Sequence, residues 1–123
     1  MIIKNCNGTS KLKNCKCGTW LNHHKIGSRK DIKRCSNIDC ENKGKKVKLV
    51  GGHVRIGDSR ETYIIPICHL CNKIFSSKSY KIRSNITPVI ANRSKTCDRK
   101  NWGKNKSIED DTLVEKDGSC IIS

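Results

Sequence analysis

Apolar and polar positions alternate most clearly in the middle of the chain. Val47-Lys48-Leu49-Val50 predicts a short strand, Gly51-Gly52 a turn or bulge, and His53-Val54-Arg55-Ile56 a further alternating run. Gly57-Asp58-Ser59 marks a loop, and the β-branched and aromatic run from Thr62 to Ile67 predicts the next strand. From Leu70 to about Ser77, Cys71, Ile74 and Phe75 recur at helical spacing and predict a short helix. Residues 1–34 are polar and basic and carry no comparable period. No internal repeat is visible, and no stretch approaches the roughly 18 apolar residues of a membrane span. The pattern predicts a small α+β domain, a β-hairpin plus a short helix, over residues 1–106, followed by a flexible tail over 107–123.

Composition changes this picture by showing what the core lacks. The chain has 123 residues, of which 34% are hydrophobic, but nine of those are cysteines and only 4% of residues are aromatic. A domain this small gains little from a hydrophobic core and needs a staple, either disulfides or a metal. Met1-Ile2-Ile3-Lys4-Asn5 is too short an apolar run for a secretory signal, which predicts reduced cysteines in a reducing compartment. An odd cysteine count points the same way, so the metal is the expected staple.

Two cysteine pairs have ligand spacing. Cys35-x4-Cys40 and Cys68-x2-Cys71 stand on either side of the predicted hairpin. Zinc takes four thiolate or imidazole ligands in a tetrahedron, commonly as two close pairs from different parts of a chain. The first pair suits a loop knuckle. The second falls at a strand end and helix start, where backbone N–H groups favour thiolates. These four are therefore the expected ligands of one structural Zn²⁺, the competing reading being four unrelated buried thiols. Cys15-x-Cys17 with His23 or His24 offers half of a second site, with Cys97 and Cys6 as available partners. For that set the preferred reading is packed thiols in a small core. Trp20, without aromatic neighbours, is expected in the core rather than as a base-stacking platform.

Charge adds a partner class. Lys and Arg number 26 against 11 acids, for a formal charge of +15. Such a surface favours an anionic partner, a membrane surface or nucleic acid, over a merely solvated basic exterior. Residues 76–106 carry nine basic residues and one acid, among them Arg93, Lys95, Arg99, Lys100, Lys104 and Lys106, the expected basic surface. From Ser107 to Ser119 the sign reverses, with five acids and one lysine. That stretch reads as a flexible spacer.

Several runs together resemble a known family. Gly52-His53-Val54, followed by Tyr63-Ile64-Ile65-Pro66-Ile67-Cys68-His69-Leu70-Cys71-Asn72-Lys73, resembles the core of HNH-type zinc modules. Asn7-Gly8-Thr9-Ser10, Cys17-Gly18-Thr19-Trp20 with His23, and Gly51-Gly52-His53-Val54 are also similar to a set of small bacterial proteins of the same zinc class. The resemblance spans roughly residues 7 to 98. It implies a ββα fold with a treble-clef-like zinc site, and metal-dependent nuclease activity in many members. His53 matches the family's general base. The nucleases usually place Asp before that histidine, where this chain has Gly52, and Asn or His where it has Tyr63. Asn72 alone does not make a Mg²⁺ site, and no motif places Asp58 or Glu61 there. The expected role of His53 is structural, bridging strands or joining the loop to the zinc site, and nuclease activity is the alternative.

Cys120-Ile121-Ile122-Ser123 is a Cys-aliphatic-aliphatic-X run, the box that prenyl transferases modify, and Ser in the last place favours farnesyl. The competing reading is an unmodified hydrophobic tail. Bacterial cytoplasm lacks these enzymes, so a bacterial-type zinc module with this box implies work inside a eukaryotic cell. The expectation is a translocated effector farnesylated at Cys120 by the host's protein farnesyltransferase. It would be held on the cytosolic face of a host cell membrane and act as a non-catalytic binding module toward an unidentified host protein. A nucleic-acid-binding protein or HNH-type endonuclease is the alternative.

Overall fold

The structure of the protein, a computed structural model, describes residues 1–6, 15–41, 47–74, 76–99 and 102. Five strands form one antiparallel sheet in the order β4-β1-β2-β3-β5. They are β1 (Ile2–Asn5), β2 (Leu49–Ile56), β3 (Tyr63–Cys68), β4 (Ser79–Lys81) and β5 (Val89–Ile90). Helix α1 (Trp20–Ser28) lies between β1 and β2 in the chain, α2 (His69–Asn72) follows β3 directly, and a 3₁₀ turn covers Arg93–Lys95. The small α+β class matches expectation. Among the described residues no helix is long and apolar enough to cross a membrane.

The central hairpin differs from its sequence reading at one point. Gly51-Gly52 is neither turn nor bulge. Strand β2 runs unbroken through it, with Gly51 opposite Pro66, Gly52 opposite Ile65 and His53 opposite Ile64. The glycines are required by what approaches the strand. A Cβ on Gly51 would come within 2.5 Å of the backbone of Trp20 and Leu21 in α1, and one on Gly52 within 2.5 Å of Ile67 Cδ1. Pro66 is tolerated because its nitrogen faces away from β2. On that same edge its carbonyl accepts from the Ser36 backbone N–H at 2.9 Å and the Ser36 hydroxyl at 2.6 Å.

Side chains alternate along the strands and build an interior on each face of the sheet. Ile3, Val54, Ile65, Ile67, Tyr80 and Ile82 pack on one face together with Cys35, Cys40, Cys68 and Cys71. Ile64 points the other way and packs with Cys15, Trp20, Ala91 and Cys97. Trp20 is thus a core residue, as expected, in edge-to-face contact with His53 at 5.0 Å.

Helix α1 had no counterpart in the sequence reading. Thr19 caps it by accepting the Asn22 N–H at 3.0 Å. Arg29 ends it in the left-handed conformation at φ 61°, with its N–H on the Lys25 carbonyl. The buried residues Trp20, His23 and His24 share one face at i, i+3 and i+4. In α2 the reverse holds, since the helix is one turn long rather than reaching Ser77. Asn5 Nδ2 donates to the carbonyls of Cys71 at 2.9 Å and Ile74 at 3.0 Å, capturing acceptors that a longer helix would use. Tyr80 in turn donates its hydroxyl to Asn5 Oδ1.

Packing at Gly51 yields a test. Gly51→Ala forces a methyl against helix backbone and should destabilise the protein by about 1–3 kcal/mol, read as a lower urea midpoint at unchanged slope. Leu70→Ala, at a residue 58% exposed, should leave the unfolding free energy within about 0.5 kcal/mol of the parent.

Candidate metal centres

The Cys35–Cys40 loop is fixed before it presents its thiols. Ser36 is held on Pro66, Asn37 forms a bridge with Ile82, and Arg83 donates its backbone N–H to the Ser36 carbonyl at 2.9 Å. Arg83 Nε also donates to the Cys35 carbonyl at 3.0 Å. Cys68 arrives at the end of β3 and Cys71 in the single turn of α2. The structure brings together all four thiols predicted from the sequence, with their sulfurs within 4.8 Å of one another and each residue no more than 5% exposed. None of them is in a disulfide.

This spacing fits a tetrahedral thiophilic ion. With zinc–sulfur bonds of about 2.3 Å, tetrahedral geometry separates two sulfurs by about 3.8 Å. Cys40 Sγ and Cys68 Sγ are 3.7 Å apart. Donors are aimed at the sulfurs as well. The Cys68 N–H lies 3.3 Å from Cys35 Sγ, and Asn37 Nδ2 lies 3.5 Å from Cys71 Sγ. Such outer partners orient ligands and stabilise their charge.

Electrostatics show what the cluster lacks without a cation. Burial pushes the Cys35 thiol up to about 11 and raises Cys71 still further. Burial also opposes ionisation of Cys68, but hydrogen bonds from Cys71, Cys40 and Cys35 outweigh it and leave that thiol below its ordinary value. A divalent cation would let all four ionise.

A second cluster stands on the other face of the sheet, formed by Cys15, Cys17, His23 and Cys97, with ligand atoms also within 4.8 Å of one another. The thiols are packed in a core, as expected, and an imidazole nitrogen also points into the sulfur set. His23 Nδ1 is 3.2 Å from Cys15 Sγ and 3.7 Å from Cys17 Sγ. His24 is not a member. Its Nε2 is 2.8 Å from the Thr87 carbonyl, and Cys6 likewise stands outside the group. The sequence offered Cys97 beside Cys6, and His23 beside His24, without choosing between them, and the structure brings Cys97 and His23 to the pair. The available signal was Thr19 as a helix cap placing His23 one turn beyond Cys17.

His53 occupies neither cluster. It faces α1 rather than the four-thiol set, so it does not join that site to a loop, as had been expected. Its backbone carbonyl does tie β2 to the chain after β1, accepting the Cys6 N–H at 2.9 Å. The residue is 6% exposed, and its Nε2 has no hydrogen-bond partner among the described residues. Burial, reinforced by His23, lowers its pKa to about 4. Glu61 is paired with Lys95 Nζ at 2.7 Å, both side chains being 16% exposed. Lys95 is therefore part of a local ion pair rather than of an open basic surface, a correction to its expected role. Arg93 and Arg99 are exposed. Lys100, Lys104, Lys106 and Cys120 lie outside the described residues.

Comparison with known proteins returned no matching family model, curated protein or solved structure. The fold and sites therefore define the protein themselves: a small α+β protein with one four-cysteine and one three-cysteine–histidine cluster positioned for metal binding.

The donor at Cys71 gives the next test. Asn37→Ala should weaken metal retention by about 10–100-fold, measured by competition with a chromophoric chelator.

Proposed function

We propose that this protein is a non-catalytic zinc-stabilised binding module, a degenerate HNH-like ββα unit. In this reading it is a translocated bacterial effector, held at an anionic host membrane by a farnesyl group on Cys120. The observation that carries the zinc part is the four-thiol set with its inter-sulfur spacing and aimed donors. Four protein ligands leave no open position, which marks a structural rather than a catalytic ion. The HNH-like part is supported by the hairpin β2–β3 running directly into α2, with Cys68 and Cys71 at the junction. The non-catalytic part is supported by His53 lying buried against Trp20 and outside both metal-ligand groups found among the described residues.

The membrane part rests on Cys120-Ile121-Ile122-Ser123 and on charge. A single lipid chain gives marginal binding and needs a second signal, and each Lys or Arg near an anionic leaflet adds about 1 kcal/mol. The sheet offers cations for this contact. Lys4 stands opposite Arg55 across β1–β2, and Lys81 opposite exposed Ile2 across β1–β4. Like charges placed side by side are locally unfavourable, and an anionic partner relieves them. The same cations favour nucleic acid as the second reading.

Purified protein should retain zinc, and stripping it with a chelator should abolish cooperative melting. Cys68→Ala should not fold stably, because a structural zinc contributes about 10–16 kcal/mol in peptide systems. A metal-free protein melting at an unchanged temperature would overturn the zinc reading. In a eukaryotic cell, a fluorescent fusion should sit on membranes and gain the mass of a farnesyl group, while Cys120→Ser should move to the cytosol. Neutralising Arg93, Arg99, Lys100, Lys104 and Lys106 together should weaken attachment. Nuclear accumulation regardless of Cys120 would favour the nucleic-acid reading instead.

A further inference from the structure

The cluster on the α1 face is built as carefully as the four-thiol set, from different parts of the chain. Cys15 and Cys17 come from the turn preceding α1. There the Gly18 N–H bonds the Cys15 carbonyl at 3.0 Å, and the Cys17 N–H lies 3.4 Å from Cys15 Sγ. Asn22 Nδ2 donates to the Cys17 carbonyl at 2.7 Å, locking this turn to the helix that carries His23. Cys97 follows the 3₁₀ turn, which Asn92 caps through its side chain and the Lys95–Glu61 pair ties to the β2–β3 loop.

The tautomer of His23 is decided by its far nitrogen. Nε2 is 2.9 Å from the Ile90 carbonyl, and a carbonyl only accepts, so Nε2 carries the proton. Nδ1 is then left with its lone pair directed at the sulfurs. This is the outer-sphere arrangement of a metal-bound histidine, with the free N–H donated to a backbone carbonyl. For bonds of about 2.0–2.1 Å to nitrogen and about 2.3 Å to sulfur, a tetrahedron sets the N···S separation at about 3.6 Å. The observed 3.2 Å and 3.7 Å bracket that value. Trp102 lies over the imidazole, ring centroids 4.8 Å apart, and Trp20 meets its edge at 4.9 Å.

We propose that Cys15, Cys17, His23 and Cys97 form a second, independent metal centre that binds one Zn²⁺-class ion through three thiolates and His23 Nδ1. It cannot share the ion of the four-thiol set, because the two clusters pack on opposite faces of the sheet, divided at Ile64 and Ile65. Loading the site converts three thiols to thiolates and releases their three protons, with no change of oxidation state. The closed ligand set makes it a clamp that holds the segment after β5 against α1.

The test counts ions and identifies their ligands in the full chain. Native mass spectrometry of the purified protein should show two zinc ions, falling to one in both Cys97→Ser and His23→Ala. The unmutated protein loaded with cadmium-113 should give two NMR resonances, one of them coupled to a histidine nitrogen. That measurement stands even if a variant fails to fold. A single ion that is lost in Cys68→Ser, with one cadmium resonance uncoupled to nitrogen, overturns this proposal and leaves the four-thiol reading intact. A single ion that survives Cys68→Ser and carries the histidine coupling supports this centre and overturns the other.

Discussion

Sulfur atoms crowded within 4.8 Å of one another in a dry interior cannot all carry charge unless a cation stands between them. That constraint governs the four-thiol face of the sheet. The loop from Cys35 to Cys40 has few apolar residues of its own, and the one-turn helix α2 is far too short to persist alone. Both keep their places because their cysteines converge on one point, and their backbones are bonded to Pro66, Ile82, Arg83 and Asn5 around it. The aliphatic residues of β1, β2, β3 and β4 pack against this framework, which an ion held by the four thiols would cross-link.

A sheet covered on both sides needs two interiors, and a chain with so few aromatics is poorly supplied for two. The solution is the same on each face. Aliphatic residues from alternate strand positions meet a set of sulfur and nitrogen atoms rather than a large hydrophobic helix. Glycines at 51 and 52 are part of it, since they let α1 rest on β2 on one side and Ile67 cross it on the other.

What could be read from the sequence was what short-range spacing encodes. Cys68-x2-Cys71 and Cys35-x4-Cys40 are local, His53 to Ile56 alternates and Thr62 to Ile67 is a β-branched and aromatic run, so the hairpin and the first cluster were visible there. Helix α1 was hidden because its inward face is made of Trp20, His23 and His24, and histidines do not register as apolar. Strand β1 looked like a stray apolar start because its partners, β2 and β4, are about fifty and eighty residues away. Gly51-Gly52 looked like a turn because the approach of α1 is a tertiary fact. Cys97 carried no local sign of its three partners for the same reason.

The order of the ligands along the chain is nested. The set formed by Cys35, Cys40, Cys68 and Cys71 falls wholly between His23 and Cys97 of the other. Closing the inner set joins parts of the chain a few dozen residues apart, whereas the outer one joins near-opposite ends of the described fold, and longer closures cost more entropy. All four inner cysteines are in the chain by residue 71, while the outer set is incomplete until Cys97. If both sets hold an ion, the inner closure is the cheaper to make first, and the outer one then docks the later residues onto a hairpin that is already in place.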